Sequence, residues 1–417
     1  MMRFVAPSRP AVCFFDFWPA TSPFGRGRRQ SGGRGARADK QHSAASRPSP
    51  GPDSPTSPKG RRGVPVAFAF HIILLFSCLL ASQSFAQLPT IQMGEAVPRD
   101  VREMYEKGLR YLASSQSEAG DWNSGGYPGP GVTGMAVMTF LASGEDPNFG
   151  LYSGNIRRGL RNILEAQDAD TGILGGRHAG HSSMYNHGFA MLALAEAYGA
   201  VDERTLWPAG SGSDGKKRSL GEALELAVRA SVTSQKKNSF GGWRYGPDAS
   251  DADTSVSGAM MVGLLAARNA GIEVPDEAID RGVAYFKSMT SSSGQVAYSG
   301  VGGFDDSIAR ISIGTLVYAV ARRKDMPEFK ATLASLAGRL EQPSQNYVRY
   351  AQYYQAQALF QGNVEAWEKW NRALVAELKA AQNDDGSFSG QLGVTVDTSL
   401  SLLAMALNFR FLPIYER

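Results

Sequence analysis

One short pattern recurs along this chain, and it limits the fold more than any other feature. Lys107–Trp122 reads KGLRYLASSQSEAGDW, Arg158–Leu174 reads RGLRNILEAQDADTGIL and Leu378–Phe388 reads LKAAQNDDGSF. A weaker copy, SQKKNSFGGW, runs from Ser234 to Trp243. Each copy is the end of an amphipathic helix, then a glutamine (116, 167, 235 or 382), then a polar turn, a glycine and a large apolar residue. Self-similarity of this kind marks stacked repeats, in which each unit buries its apolar face against the next.

A second, more apolar helix is predicted around each of 133–144, 187–199, 254–271, 312–323, 347–362 and 398–409. These segments are rich in small residues and apolar on most faces, as a buried helix is. Charged amphipathic helices precede them near 99–116, 155–167, 220–236, 276–290, 326–341 and 364–382. The chain has no useful run of strand-type alternation. Six outer and six inner helices can close into a ring or form an open right-handed superhelix. Inner helices this apolar suit closure better than a solvated concave face.

Lys107-Gly108, Tyr111-Leu112, Gln116, Gly120 and Trp122 fit K/R-G-x-x-F/Y/W-L-x-x-x-Q-x-x-x-G-x-W at every fixed position. In this the chain resembles the squalene cyclases and their relatives, over nearly all of 99–417. The resemblance implies an all-α (α/α)6 toroid of six helical hairpins, a fold shared with the β subunits of protein prenyltransferases. It also implies an isoprenoid or other apolar small molecule in the central cavity. Class II cyclases of this type protonate their substrate with the middle Asp of Asp-x-Asp-Asp-Thr. The nearest segment here, Ser250-Asp251-Ala252-Asp253-Thr254, departs from that pattern in either register. Aligned on Asp253-Thr254, the acid position is Ala252; aligned on Asp251-x-Asp253, Thr254 replaces the third carboxylate. Prenyltransferase chemistry needs a cysteine thiolate on zinc, and Cys13 and Cys78 both precede residue 87. An enzyme of this sequence is therefore expected to be terpene cyclase-like and not a Cys-zinc protein prenyltransferase.

The N-terminal part differs in composition. Residues 1–60 are rich in Gly, Pro, Ser and Arg and read as a disordered leader, or as sequence upstream of the true start. Residues 61–86 have Arg61-Arg62, the apolar run VPVAFAFHIILLFSCLL (64–80) and small residues Ser84 and Ala86. This is the pattern of a secretory signal peptide, or of an N-terminal anchor if uncleaved. Residues 87–98 form a linker and 99–417 the toroid domain. The domain is thus expected outside the cytoplasm, secreted or periplasmic, touching membrane only through 64–80. Residues 1–86 hold 12 Lys/Arg against 3 Asp/Glu, whereas the rest holds 31 against 36. The body is mildly acidic, so nucleic acid is not an expected partner.

Loops leading into the inner helices all emerge on one rim, at which the inner-helix N-termini aim their positive dipole ends. These loops include 175–187, 241–253, 302–306 and 384–397. Asp253 and Asp251 are the candidate catalytic carboxylates, and His187 a candidate general acid/base. Candidate ligand contacts are Trp243, Arg244, Tyr245, Tyr185, Asp305, Asp306, Tyr347, Tyr350, Tyr354 and Asp397. Arg310 and Arg349 can pair with rim carboxylates or hold an anion. A plainer role stands beside each. Asp253 and Asp397 precede Thr-Ser pairs at the same point of their repeats and suit N-caps, worth about 1 kcal/mol each. Asp305-Asp306 can simply diverge to solvent, and the tyrosines can pack a wide barrel. His178, His181 and His187 are the metal candidates, but His-x2-His-x5-His matches no standard metal spacing, and no metal or cofactor is expected. Three functions remain open: a toroid acting on or binding an apolar ligand, a non-catalytic extracytoplasmic binding toroid, and a carboxylate-dependent glycan hydrolase or lyase.

Overall fold

A computed structural model describes residues 97–122, 129–175, 183–208, 217–300 and 302–415. The leader, the signal segment, both cysteines, His178 and His181 lie outside the described residues.

The described residues form twelve α-helices in six hairpins. Outer helices are α1 (Arg99–Ser115), α3 (Ser153–Glu165), α5 (Leu220–Gln235), α7 (Asp276–Ser288), α9 (Pro327–Ala337) and α11 (Val364–Ala381). Inner helices are α2 (Pro130–Ala142), α4 (Ser183–Ala197), α6 (Thr254–Asn269), α8 (Ile308–Val320), α10 (Val348–Gly362) and α12 (Val394–Met405). Among the described residues there is no strand. Two isolated bridges, Thr290–Val296 and Gln382–Phe388, close two of the repeat turns.

Outer helices bury one stripe. On α1 it comprises Val101, Met104, Tyr105, Gly108, Leu109 and Leu112, the i, i+3, i+4, i+7 spacing of an amphipathic helix. Inner helices are buried nearly all round; every residue of α2 is buried. Each inner helix packs on the next, and α12 packs on α2, so the all-α (α/α)6 toroid is closed. Small residues permit that closure. A Cβ on Gly188 of α4 would lie 2.8 Å from the Ala259 carbonyl carbon of α6, so these two helices meet backbone to backbone.

The repeat's glutamine is the clasp between hairpins. Gln116 Nε2 donates to the Gly120 carbonyl at 2.9 Å and to the Asn155 carbonyl of the next outer helix at 3.0 Å. Gln167 does the same to Gly172 and Ala223, and Gln235 to Gly241 and Ala278. Gln382 donates to Gly386 at 3.0 Å and to Met104 at 2.9 Å, joining the last hairpin to the first. The turn glycine has a positive φ and packs its Cα against the following outer helix. Gly294 has this geometry too, with φ 83 and a would-be Cβ 2.2 Å from the Ala331 carbonyl. The fourth hairpin is therefore a fifth copy of the pattern, with Thr290 in the glutamine's place.

Several inner helices begin earlier than the sequence pattern predicts: α4 at Ser183, α8 at Ile308 and α12 at Val394. Each of these first turns holds a buried polar side chain, Asn186, Arg310 or Asp397, that interrupts the apolar run used to place the starts. On the far rim the chain ends across the ring. Leu412 and Ile414 are buried, and the Ile414 N–H donates to Glu196.

Candidate functional site

The repeat places one tyrosine pair. Tyr245 follows Gly241 by four residues, and Tyr298 follows Gly294 by four. These equivalent positions in adjacent hairpins bring the two hydroxyls into hydrogen-bonding contact. Tyr185 of α4 stacks with Tyr245 at a centroid separation of 6.4 Å. With Tyr347 and Tyr350 of the fifth hairpin, these rings line a cavity of about 410 Å³. The first turns of α6, α8 and α10 complete its wall through Ser255, Arg310 and Tyr350. Asp305, Asp306, Gln342, Ser344, Gln345 and Asn346 add polar groups to a lining that also includes Ile308, Ala309, Pro343 and Leu392.

Below the rim the barrel is filled. Phe189 of α4 meets Tyr353 of α10 across the ring, centroids 6.3 Å apart. Tyr354 packs against both Tyr350 and Tyr353 at 4.9 Å and is buried. Of the inner tyrosines expected to touch a ligand, Tyr347 and Tyr350 line the cavity, whereas Tyr354 belongs to the packing beneath.

Asp253 caps α6. Its Oδ1 accepts from the Ser255 and Val256 N–H groups, each at 2.9 Å. Its Oδ2 has no hydrogen-bond partner, exposes essentially no surface and lies 3.9 Å from Arg244 Nε. Burial pushes the carboxyl up to about 7, against the two amides and Arg244, which favour the anion. The residues that follow it touch the cavity wall: the Thr254 N–H donates to the Tyr298 carbonyl at 2.9 Å, and Ser255 lines the cavity. Because Oδ1 is held as an acceptor, the proton of the neutral acid resides on Oδ2.

The charged side chains of the site are paired. Arg244 pairs with half-exposed Asp251 at 2.6 Å, and its guanidinium lies over Tyr245 at 5.2 Å and Tyr298 at 5.8 Å. Arg310 is buried, lies 6.0 Å from the Tyr298 ring centroid and pairs with Asp305. Burial lowers the Arg310 guanidinium to about 10, so it remains charged at neutral pH. Asp306 turns the other way, to Arg339 at 2.9 Å and Gln295 at 2.8 Å, which hold it below the usual carboxylate range. The adjacent aspartates thus diverge, each to its own arginine or amide, while both border the cavity.

Three sequence candidates lie elsewhere. His187 is fully buried in the wall between hairpins: Nδ1 accepts from the Leu174 N–H, and Nε2 faces the Ala227 carbonyl and the Ser231 hydroxyl. Burial lowers it to about 4. It is a neutral structural histidine, not an acid/base, because its start-of-helix position was only apparent: α4 begins four residues earlier. Trp243 is core, donating Nε1–H to the Ser231 carbonyl at 3.0 Å. Asp397 is buried inside the first turn of α12, where Oδ2 accepts from the Leu392 N–H; Gly393 holds the N-cap position. Burial raises it to about 6. Asp397 is thus not the counterpart of Asp253. Thr398, one residue on, receives the Phe388 N–H as Ser257 receives that of Trp243. Arg349 pairs with Glu377 at 2.9 Å. Among the described residues no group of three or more His, Cys, Asp or Glu could hold a metal ion.

Sequence reasoning missed Tyr298. The signal was the fourth-hairpin copy, Gly294-Gln295-Val296-Ala297-Tyr298, obscured by Thr290 and Val296 in place of Gln and Trp.

No family profile matches the chain, and no curated protein matches its sequence. Solved structures do match its fold. A family 76 glycoside hydrolase from a bovine Bacteroides thetaiotaomicron strain aligns with TM-score 0.53 and 9% identity, over 75% of this chain and 78% of that one. A glycosidase variant aligns with TM-score 0.51 and 10% identity, over 75% and 98%. The type II terpene cyclase MstE from Scytonema, in complex with geranylgeranyl dihydroxybenzoate, aligns with TM-score 0.48 and 16% identity, over 75% and 98%. At these identities the likeness is one of fold, the α/α toroid.

Proposed function

We propose that this toroid is an enzyme that uses Asp253 as a general acid toward a compact ligand held in the rim cavity. The observation that carries the reading is the state of that carboxyl. One oxygen is fixed by two backbone amides, the other is without a hydrogen-bond partner, and burial raises the group to about 7, so a large fraction is still protonated just below neutral pH. A buried, oriented acid beside aromatic faces is what protonation of a neutral substrate requires, because the rings stabilise the positive charge that develops. The tyrosines also offer hydroxyls, and the mouth is polar, so the ligand has both an apolar face and polar edges. Export from the cytoplasm, expected from the N-terminal segment, and an isoprenoid ligand, expected from the family resemblance, are compatible with this reading. A ligand must fit above the Phe189–Tyr353 contact, which favours a short or folded one.

A glycosidase mechanism needs a second carboxylate facing the acid. Asp305 and Asp306 border the cavity but are held by Arg310, Arg339 and Gln295, so the acid-only reading ranks first. Non-catalytic ligand binding also has an observation in its favour: Asp253 exposes no surface. The two separate in one experiment. Wild-type chain and Asp253→Asn are incubated with fractionated lipid and saccharide extracts, and consumed species and products are followed by mass spectrometry. Species converted by wild type and retained unconverted by Asp253→Asn support the proposal. Equal conversion by both variants removes Asp253 from the chemistry, and binding without conversion by either makes the protein a binding toroid.

A further inference from the structure

Four helix N-termini and one buried guanidinium border the cavity, beside the Asp305 and Asp306 carboxylates. The first turns of α4, α6, α8 and α10 contribute Tyr185, Ser255, Arg310 and Tyr350 to its lining, so four helix N-termini present their positive ends there. Arg310 adds a full charge in the wall, with a side chain only 2% exposed. Its guanidinium lies 6.0 Å from the Tyr298 ring centroid. What answers it is the Asp305 carboxylate, whose side chain is 56% exposed. Asp305 belongs to a different kind of segment. Gly302 and Gly303 just before it have φ 99 and 66 with open space where a Cβ would stand, and Phe304 is exposed. Asp306 anchors this segment independently, through Arg339 and Gln295, so Asp305 can withdraw while its neighbour stays in place.

A buried cation in a ligand cavity, neutralised by an exposed carboxylate from a glycine-rich loop, is a site already occupied by an internal stand-in. We propose that the ligand carries a carboxylate, which replaces Asp305 on the Arg310 guanidinium while the ligand body lies against Tyr185, Tyr245 and Tyr298. The guanidinium fork matches a planar carboxylate, and the stand-in is itself one. The inference rests on the rim cavity being the ligand site and deepens that reading: it names the group the ligand must bear. It also gives Arg310 a positioning role. With the ligand's charge held at one wall, its neutral part is directed toward the wall that hides Asp253. No bond is made or broken in this step; one carboxylate exchanges for another.

Calorimetric titration of the full chain with benzoate, benzamide and inorganic phosphate tests this directly. Asp305→Asn removes the competitor while leaving an exposed residue of the same size. Benzoate is expected to bind this variant roughly tenfold or more tighter than wild type, the scale of one charge-assisted hydrogen-bonded contact released from competition. Benzamide is expected to bind both equally weakly. Adding Arg310→Gln should abolish the gain. Asp305→Glu, which keeps a competing carboxylate and perturbs only the loop, should stay near wild type and serves if the Arg310 variant does not fold. Equal affinity for benzoate in wild type and Asp305→Asn overturns the proposal, as does benzamide gaining in parallel. Phosphate binding the variant more tightly than benzoate overturns the assignment to a carboxylate. The same titrations in an Asp253→Asn background should give the same pattern. A gain there without turnover in wild type sinks the acid reading alone; turnover in wild type without the gain sinks the carboxylate alone.

Discussion

Removing the Gln382 side chain tests whether the ring is closed in solution. Gln382→Ala deletes two hydrogen bonds, to the Gly386 carbonyl within its own turn and to Met104 at the other end of the domain. Each net bond is worth about 1 kcal/mol, and the two carbonyls lose a partner in a partly buried seam, so the loss should be about 2 kcal/mol. Gln167→Ala is the internal standard. It removes the equivalent pair, to Gly172 at 3.0 Å and Ala223 at 2.9 Å, between hairpins adjacent in sequence. Urea unfolding followed by circular dichroism should show both variants with lower midpoints and similar slopes. In a closed ring the two losses are alike, because the clasp acts between neighbours in space whatever their distance along the chain. If Gln167→Ala costs about 2 kcal/mol and Gln382→Ala less than about 0.5 kcal/mol, the first and last hairpins are not joined and the toroid argument fails.

Two further outcomes follow from the same geometry. Gly294→Ala should cost about 2 kcal/mol or more, since its φ is 83 and the new Cβ would meet the Ala331 carbonyl at 2.2 Å; Gly302→Ala, also at positive φ but with open space, should cost about 1 kcal/mol, and thermal unfolding of the pair checks the contrast. His187 titrates near 6.5 when unfolded and about 4 when folded, so the unfolded chain takes up its proton first and stability, full above 6.5, declines as pH falls toward 4. His187→Asn should flatten that limb, by an amount on the order of 3 kcal/mol, while lowering stability at pH 7.5; an unchanged acid limb in urea unfolding at pH 7.5, 5.5 and 4.5 refutes the buried-neutral assignment.

Much of this architecture is written in residue spacing. The stripe on α1, the six apolar helices and the glutamine–glycine turns each follow from local chemistry, and the structure assembles them into the expected all-α toroid. What the glutamines bond to was not legible, because their second acceptor lies one hairpin away. The site was legible by class more than by position. Asp253, Tyr185, Tyr245, Tyr347 and Tyr350 converge on or behind one cavity, but Trp243, His187, Tyr354 and Asp397 do not. These four are buried in the polar or aromatic seams between helices, and a sequence does not distinguish a polar group satisfied by a neighbouring backbone from one facing a ligand. Asp253 and Asp397 illustrate this: both precede Thr-Ser, yet one ends a loop and the other lies within a helix, because α12 begins at Val394.

The account turns on Asp253 keeping a substantial protonated fraction near neutral pH. Burial without a partner for Oδ2 raises its folded value to about 7 from an ordinary 3.8. By linkage, its contribution to stability is complete below 3.8 and is lost as pH rises through about 7. A carbon-13 NMR titration of the aspartate carboxyl carbons, with the Asp253 resonance assigned by its absence in Asp253→Asn, reads the value without any substrate. A midpoint near 7 is the expected result. A midpoint at or below 4 would mean the carboxylate is an ordinary charged helix cap, and the catalytic reading would be contradicted.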